Sequence, residues 1–174
     1  MSFNPADAGE LAAHRWYALH VRSRHERVVE KSLEEKGYTV LYPFYRTKRK
    51  RVQRVVKVDV PLFPGYIFCH FDATKRLPVL KTPGVVTVVG CGRPEPVDDR
   101  EMASLQTVIG SGLPVGPWPF LRTGQKIRMQ GGPLAGAEGT LLRIKNQTRL
   151  VVSITLLQRS VVTEVDQEFV EPLF

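Results

Sequence analysis

Residues 60–71 read Val60-Pro-Leu-Phe-Pro-Gly-Tyr-Ile-Phe-Cys-His-Phe71, and this stretch decides how the first half of the chain folds. Pro61 and Pro64 lack the backbone N–H and hold φ fixed, so neither belongs inside a helix or a central strand. Gly65 is free to adopt the positive φ that a sharp turn requires. The β-prone run that begins at Tyr66 therefore predicts a tight turn leading directly into a strand.

Two aromatic residues, Phe63 and Tyr66, bracket this turn. Aromatic side chains on a rigid turn are typical of a preformed docking surface. The alternative is that Phe63 anchors the edge of the core, and the segment taken alone slightly favours that interpretation. Because core anchoring does not require both residues, we predict that Phe63 and Tyr66 together form an exposed apolar patch.

Length and composition limit the possible classes of protein. The chain has 174 residues, of which 43% are hydrophobic, enough for one large domain or two small ones. A net charge of +8 predicts a polyanionic partner such as nucleic acid. Cys69 and Cys91 are the only cysteines and form no Cys-x-x-Cys pair, which is typical of a reduced cytoplasmic protein.

Several classes of site and segment are not indicated by the sequence. The four histidines lack zinc-ligand spacing, and the N-terminus has no signal-peptide pattern. No apolar run approaches the roughly 20 residues that span a bilayer. We therefore expect a cytoplasmic protein with no metal, no cofactor and no membrane contact.

Periodicity and turn residues predict an α+β arrangement in the first part of the chain, after a loose tail over residues 1–13. Ser23 and Glu26 have capping-box spacing and Gly37 suits the position after a helix, which predicts a helix over residues 24–36. A second helix is predicted from Asp98 to Gly110. Strands are predicted over residues 16–21, 39–42, 52–58, 66–71 and 85–89.

Residues 110–119 contain six Gly or Pro residues and predict a flexible interdomain linker. Short β-prone runs follow without helical periodicity, over residues 125–129, 139–144, 150–157, 160–165 and 169–172. Closely spaced strands of this kind suggest a small closed barrel. The predicted organisation is thus a domain over residues 14–110, a linker over 111–121 and a second domain over 122–174.

The block from Arg46 to Lys57 holds seven cationic residues and no acidic one. It is either a solvated hairpin that keeps a sheet edge soluble or a surface that contacts phosphates. Seven cations exceed what solubility needs, so we favour contact with nucleic acid or an acidic protein face.

A second group of cationic residues lies where the first strand meets the first helix. Exposed polar residues near a helix start would also explain this group, although cations gain nothing from the helix dipole there. Lys75 and Arg76 follow the strand after the Pro-Gly turn, so both groups could flank one groove that holds a single strand. The candidate nucleic-acid-binding residues are His20, Arg22, Arg24, Lys75 and Arg76.

No catalytic motif is present. The sequence lacks Gly-x-Ser-x-Gly, a phosphate-binding glycine-rich loop and His-Glu-x-x-His. The cluster Asp98-Asp-Arg-Glu101 is explained by helix capping, and the glycine-rich segment 131–139 predicts a tight turn running into a strand. We expect that the protein is not an enzyme.

The order of these motifs resembles the NusG family over nearly the whole chain. Trp16-Tyr17 matches the family's first strand, and Pro61-Leu-Phe-Pro-Gly-Tyr-Ile-Phe68 matches its signature turn. Segment 82–90 resembles the following family strand. Gly132-Pro-Leu-Ala-Gly-Ala-Glu-Gly139 resembles the KOW motif, and segments 150–159 and 170–173 resemble the strands that complete the KOW barrel.

The resemblance implies an N-terminal α/β sandwich with an antiparallel sheet, followed by a small five-stranded SH3-like KOW β-barrel. The first domain would bind the clamp helices of RNA polymerase and touch the non-template DNA strand, and the barrel would recruit a ribosomal protein or another factor. The residues implied for polymerase binding are Trp16, Tyr17, Phe63, Pro64 and Tyr66. Those implied for partner binding by the barrel are Leu134, Leu156, Leu157 and Arg159.

Two positions depart from the housekeeping members of the family. Leu134 stands where Phe is usual, and Leu157 stands where an aromatic residue tends to occur, in positions that help bind Rho or the ribosomal protein. We therefore predict a monomeric, operon-specific antitermination factor. The alternatives are a housekeeping elongation or termination factor of the same family, and a KOW-containing RNA-binding protein of the ribosome.

Overall fold

The computed structural model describes residues 13–120 and 124–174, and the tail predicted for residues 1–13 lies outside them apart from Ala13. The helices are α1 (Glu26–Glu35), α2 (Leu77–Leu80) and α3 (Asp99–Gly110). The strands are β1 (His14–Val21), β2 (Thr39–Leu41), β3 (Phe44–Arg51), β4 (Arg54–Pro61), β5 (Tyr66–Asp72), β6 (Val85–Val88), β7 (Val115–Trp118), β8 (Lys126–Met129), β9 (Glu138–Ile144), β10 (Gln147–Ile154), β11 (Arg159–Glu164) and β12 (Val170–Pro172). Every strand pair is antiparallel, which confirms the predicted mixed α+β class.

The chain divides into two compact units that are interleaved in sequence. The first unit comprises the chain up to Pro43 together with Phe63–Val97, and the second comprises Phe44–Leu62 together with Asp98–Phe174. These limits differ from the predicted boundary near residue 110. The difference arises because α3 packs against β9 and β10 of the second unit.

The first unit contains a four-stranded sheet in the order β2-β5-β1-β6. Helix α1 packs against β2 and β5 and contributes Val29 and Leu33, both completely buried. Its C-terminal end is as predicted, because the N–H of Gly37 donates to the carbonyl of Glu34 at 2.8 Å. The predicted start at residue 24 is wrong, because the helix begins at Glu26. Its N-cap residue, His25, makes no side-chain capping hydrogen bond.

The second unit contains a six-stranded sheet in the order β12-β8-β9-β10-β11-β7 and a separate two-stranded hairpin, β3–β4. Its five predicted β segments are present with small shifts of their ends. Helix α3 is capped as predicted, since the Asp98 carboxylate accepts from the backbone N–H groups of Arg100 and Glu101 at 2.9 and 3.1 Å. The predicted linker contains β7, which pairs with β11 and is therefore part of the sheet.

Candidate docking and nucleic-acid-binding surfaces

The two faces of the four-stranded sheet differ in composition and burial. Neighbouring residues of a strand point to opposite faces, so the register of β1 and β5 decides which side chains share a face. One face is the core, and apart from the partly exposed Arg15 its members on the central strands are at most 7% exposed. They are Tyr17, Leu19, Val21, Ile67, Cys69 and Phe71.

The opposite face carries the opposed pair Ala18 and Phe68, both completely buried, and on either side of it a pair of rings that remains accessible. We call these four rings the aromatic row: Trp16, His20, Tyr66 and His70. The rings of Trp16 and His70 are 5.3 Å apart between centroids, and those of His20 and Tyr66 are also 5.3 Å apart. His20 is exposed and the other three are partly exposed. The register places each ring pair on directly opposed residues, so the sheet itself fixes their spacing. Three of the predicted site residues are thereby brought together.

The Pro-Gly turn has the hydrogen bonding that the sequence predicts. The N–H of Tyr66 donates to the carbonyl of Phe63 at 2.9 Å, and Gly65 lies at φ +81°. Pro64 and Gly65 thus occupy the positions that a type II turn assigns to proline and glycine. The N–H of Gly65 donates to Oε1 of Glu26 at 3.0 Å, and Glu26 is only 5% exposed.

Phe63 is not part of an exposed patch, and that prediction is wrong. Its side chain is completely buried and lies edge-to-face against Phe68, with ring centroids 5.4 Å apart. Core anchoring by Phe63 therefore prevails, whereas Tyr66 stays partly exposed and Pro64 exposed. Tyr17 is likewise 7% exposed and packs against Phe71 on the core face, so it cannot share a docking surface with Trp16.

Arg22 and Arg24 are exposed and lie just beyond the end of β1. Two Pro-Gly turns hold this end, because the carbonyls of Gly65 and Gly84 accept from the N–H groups of Val21 and Arg22, each at 2.8 Å. Arg24 adopts φ 65°, in the left-handed region. The strand end is thus fixed, while the two guanidinium groups extend from it into solvent.

Lys75 and Arg76 lie at the other end of the sheet. They follow Asp72, which pairs with His14 at the start of β1, whereas Arg22 follows the pair of His20 with Tyr66. Six residues separate the two pairs, which corresponds to about 20 Å along a strand. The two cationic groups therefore lie at opposite ends of the sheet, and a single strand that contacts both has to run along its length.

The charge of Lys75 is opposed by a neighbouring carboxylate. Asp72 accepts from the Thr74 hydroxyl at 2.7 Å and from its N–H at 2.9 Å. These bonds, with a contribution from the charge of Lys75, hold the pKa of Asp72 below its ordinary value. The carboxylate is therefore ionised at neutral pH, which reduces the positive potential at this end of the sheet.

The basic block folds as the β3–β4 hairpin, and all seven of its cationic side chains are exposed. Only Arg46 has an ion-pair partner within it, since its Nε lies 2.9 Å from Oδ1 of Asp59. The strand predicted over residues 52–58 is displaced, because Val52 and Gln53 form the turn and β4 begins at Arg54.

In the second unit, the glycine-rich segment forms a 3-10 turn over Gly132–Leu134 that leads into β9. Leu134 is 2% exposed and belongs to the core, so it does not present a surface to a partner. Leu156 and Leu157 lie in the turn between β10 and β11, and Arg159 starts β11. These three residues are close in sequence and partly exposed.

Other kinds of site are not indicated within the described residues. In the ranges 13–120 and 124–174, no group of three or more His, Cys, Asp or Glu side chains is placed to hold a metal ion. No helix in the same ranges is long and apolar enough to cross a membrane. Burial raises the pKa of the Cys69 thiol to about 12, so this thiol is neutral and unreactive at physiological pH.

Two residues of the docking region were not among the predicted site residues. His70 completes the aromatic row, and period-2 alternation from Tyr66 along β5 would have placed it on the same face. Glu26 braces the turn, but its capping-box spacing pointed to a different role. No local sequence signal links Glu26 to a glycine 39 positions away.

Comparison with known proteins assigns the family. The model of the family described as "Transcription termination factor nusG" matches residues 14–106. The transcription termination/antitermination protein NusG of Pseudomonas aeruginosa is 30% identical, over 90% of this chain and 96% of that protein. The protein of the same name from Staphylococcus epidermidis is 27% identical, over 94% of this chain and 98% of that protein.

A solved structure concerned with domain interaction in Thermotoga maritima NusG has the same fold. It has 24% sequence identity and a TM-score of 0.50, and the match covers 94% of this chain and 99% of that one. The relatives and this structure each match 90% or more of the chain. The chain therefore belongs to the NusG family and is a transcription elongation and antitermination factor.

Proposed function

We propose that the protein binds RNA polymerase through the aromatic row, with the clamp helices as the docking partner, and suppresses pausing or termination. The observation that carries this proposal is the set of rings on one sheet face, held at fixed spacing and still accessible. Aromatic side chains with a polar tip are favoured at protein interfaces, because they bury a large apolar area and keep a hydrogen-bonding group. Membership of the NusG family supports the choice of partner.

The role of Phe63 in this proposal is indirect. Its burial against Phe68 fixes the start of the turn whose last residue is Tyr66. Glu26 fixes the third residue of the same turn through the Gly65 N–H. Tyr66 is thus presented to the polymerase by a turn that is anchored at two points, which lowers the entropy lost on binding.

We propose that the non-template DNA strand contacts the cationic residues at the ends of the sheet. Arg22 and Arg24 adjoin the His20 end of the aromatic row, and Lys75 and Arg76 adjoin the His14 end. A strand that contacts both groups would have to run along the length of the sheet. We expect Arg22 and Arg24 to contribute more, since Asp72 offsets the charge of Lys75.

The second unit is proposed to contain a KOW barrel built from β8 to β12, over residues 122–174. Segment 111–121 would then connect the two functional domains even though β7 within it pairs with β11. The proposed partner contacts are Leu156, Leu157 and Arg159, with a ribosomal protein or another factor as the partner. Leu134 is left out, because it is buried.

We further propose that the protein is monomeric, cytoplasmic and specialised for particular operons. The support is the pair of leucines at positions 134 and 157, where the housekeeping pattern has aromatic residues. A ribosomal RNA-binding role is not retained, since the family model matches the first half of the chain, which that role leaves unexplained.

The test is polymerase affinity of folded variants of the full-length protein. Tyr66→Ala and Trp16→Ala should each weaken binding by about 30-fold, which corresponds to the roughly 2 kcal/mol typical of an interface anchor. Leu77→Ala is the matched control, because Leu77 is an apolar residue that is 64% exposed and lies outside the row. Phe63→Ala is unsuitable, since truncating a buried phenylalanine costs about 3–5 kcal/mol of stability.

Binding would be measured by titrating labelled protein with purified core polymerase, after circular dichroism has shown that each variant is folded. Equal affinities for the wild type and both row variants would reject the docking face. A loss in Leu77→Ala as large as that in Tyr66→Ala would also reject it.

A further inference from the structure

The β3–β4 hairpin carries most of the excess charge of the protein. Residues 44–62 contain seven Lys or Arg residues against the single acidic residue Asp59, a balance of +6 out of +8 for the whole chain. All seven cationic side chains are exposed. The hairpin is therefore the main polyanion-attracting feature of the chain, and neither the family assignment nor the proposed docking face uses it.

The register of the hairpin sets like charges against one another. Lys48 is directly opposite Lys57, and Arg51 is directly opposite Arg54. Like charges on directly opposed residues destabilise a strand pair. Apart from Arg46 with Asp59, no ion pair joins these cations to a carboxylate among the described residues. The arrangement is thus unfavourable in the free protein and would be relieved by bound phosphates.

The charges lie on both faces of the ribbon. Because residues alternate between faces, one face carries Arg46, Lys48, Lys50 and Lys57, and the other carries Arg49, Arg51 and Arg54. A ribbon that rests on a flat acidic surface would need cations on one face only. Cations on both faces fit a ribbon that lies between two walls of phosphates.

The shape of the hairpin also favours a groove. Each strand has eight residues, which makes the ribbon about 27 Å long. The major groove of B-form DNA, about 12 Å wide, admits a two-stranded β-ribbon. The major groove of duplex RNA is deep and narrow, so side chains do not reach into it.

Single-stranded nucleic acid fits the hairpin less well. Proteins that hold single strands combine cations with aromatic side chains on which bases stack. The segment 46–59 contains no Phe, Trp or Tyr. We propose that the β3–β4 hairpin binds double-stranded DNA by entering the major groove and contacting phosphates on both sides. This binding is independent of the proposed polymerase contact.

The experiment compares two triple variants of the full-length protein, one for each face. The first is Lys48→Gln/Lys50→Gln/Lys57→Gln, and the second is Arg49→Gln/Arg51→Gln/Arg54→Gln. The matched control, Arg93→Gln/Arg143→Gln/Lys145→Gln, removes the same charge from exposed residues elsewhere. Replacing the three lysines by arginine keeps the charge at the same positions and shows whether positive charge, and not the lysine side chain itself, is required.

The probe is a fluorescent DNA duplex of about 30 base pairs and mixed sequence, titrated at salt concentrations between roughly 50 and 200 mM. Each triple glutamine variant should lower the slope of log affinity against log salt by up to ~2.7, because each phosphate contact contributes about 0.9. The control and the lysine-to-arginine variant should keep the wild-type slope.

Several outcomes would overturn the proposal. Unchanged slopes in both hairpin variants, or an equal loss in the control, would mean that the hairpin does not bind duplex DNA. A loss in only one of the two hairpin variants would mean that the ribbon lies on a surface instead of in a groove. Equal or greater dependence on the hairpin with single-stranded DNA or duplex RNA of the same sequence would reject the assignment to duplex DNA. Polymerase affinity, measured in parallel, should be the same in all these variants, so failure of this proposal is distinct from failure of the docking face.

Discussion

Glu26 shows how one buried side chain can fix the geometry of a distant turn. Carboxylates are rarely buried without a partner. Glu26 is 5% exposed, and its Oε1 accepts from the N–H of Gly65. That N–H lies inside a turn whose own hydrogen bond joins Phe63 to Tyr66, so the carboxylate satisfies a donor that the turn leaves over. The residue therefore connects helix α1 to the presentation of Tyr66.

Replacing Glu26 by alanine should destabilise the protein by about 1.5–3 kcal/mol, the usual value of a hydrogen bond to a charged group. Glu26→Gln keeps an acceptor oxygen and should cost less. Glu35→Ala is the matched control, because Glu35 lies at the exposed end of the same helix. The free energy of unfolding would be obtained from urea titration, and equal midpoints for Glu26→Ala and Glu35→Ala would contradict the bracing role.

Part of the docking face follows from the sequence by strand alternation alone. Trp16 and Tyr17 are adjacent in a predicted strand, so only one of them can reach a given face. The burial of Phe63 does not follow in this way. It depends on the position of Phe68, five residues further along the chain, after the turn has reversed the direction of the backbone. Turn type is readable from Pro64 and Gly65, whereas the environment on the inner side of the turn is a tertiary property.

Among the elements, the β3–β4 hairpin and β7 were the hardest to predict. Strand β3 consists largely of cations, and its pattern lacks the alternation of apolar and polar residues by which strands are recognised. Strand β7 contains Gly116 and Pro117, which read as linker residues. Proline is tolerated there because β7 is an edge strand of its sheet. The apolar strands of the second unit, from β8 to β12, were predicted with small shifts because their core residues alternate or run continuously.

Helix α3 is joined to the six-stranded sheet by hydrogen bonds that no periodicity predicts. The Ser104 hydroxyl accepts from the N–H of Glu138 at 2.9 Å, and the Glu101 carboxylate accepts from the N–H of Thr155 at 3.0 Å. Both helix residues precede their partners by more than thirty positions. The helix therefore adds stability to a sheet formed by a later part of the chain.

A fragment of residues 98–174 should consequently be more stable than a fragment of residues 120–174. We expect a difference of about 2 kcal/mol or more, since the shorter fragment loses the strand pair β7–β11 and three hydrogen bonds to α3, the third being from the Thr155 hydroxyl to the Glu101 carboxylate. Both fragments would be unfolded in urea and followed by circular dichroism in the far ultraviolet.

The control for this comparison is Glu101→Ala/Ser104→Ala in the longer fragment, which removes the three hydrogen bonds but keeps β7. It should fall between the two fragments in stability. If the fragments have equal stability, α3 does not support the sheet, and the predicted boundary near residue 110 is the better description.

At the scale of the whole molecule, the hairpin interrupts the first unit in sequence without contributing to its sheet. Phe44 and Pro61 are directly opposed at the base of the hairpin, so the chain leaves and re-enters the first unit within one strand pair. Most of the net charge lies beyond this base. Most of the net charge therefore lies in a hairpin that is not part of either larger sheet.

Replacing residues 46–59 by Asn-Gly should leave a folded protein with a net charge of +2 instead of +8, because the removed segment has a balance of +6. Tyr45 and Val60 are opposed, which suits a two-residue hairpin loop. The shortened protein should elute earlier from a cation exchanger and retain a cooperative thermal transition. The control keeps the hairpin length but carries Gln at all seven cationic positions. If the shortened protein loses its transition while the control keeps it, the hairpin is needed for folding.

The two units also differ in a property that can be read without any label. The chain has two tryptophans, Trp16 in the first unit and Trp118 in the second. Trp16 lies against the His70 ring, and Trp118 lies under the Arg149 guanidinium at 6.0 Å from the ring centroid. In a protein with Trp118→Phe the tryptophan emission therefore comes only from the first unit, and in one with Trp16→Phe only from the second. Tryptophan fluorescence of the two variants then measures the unfolding rate of each unit separately.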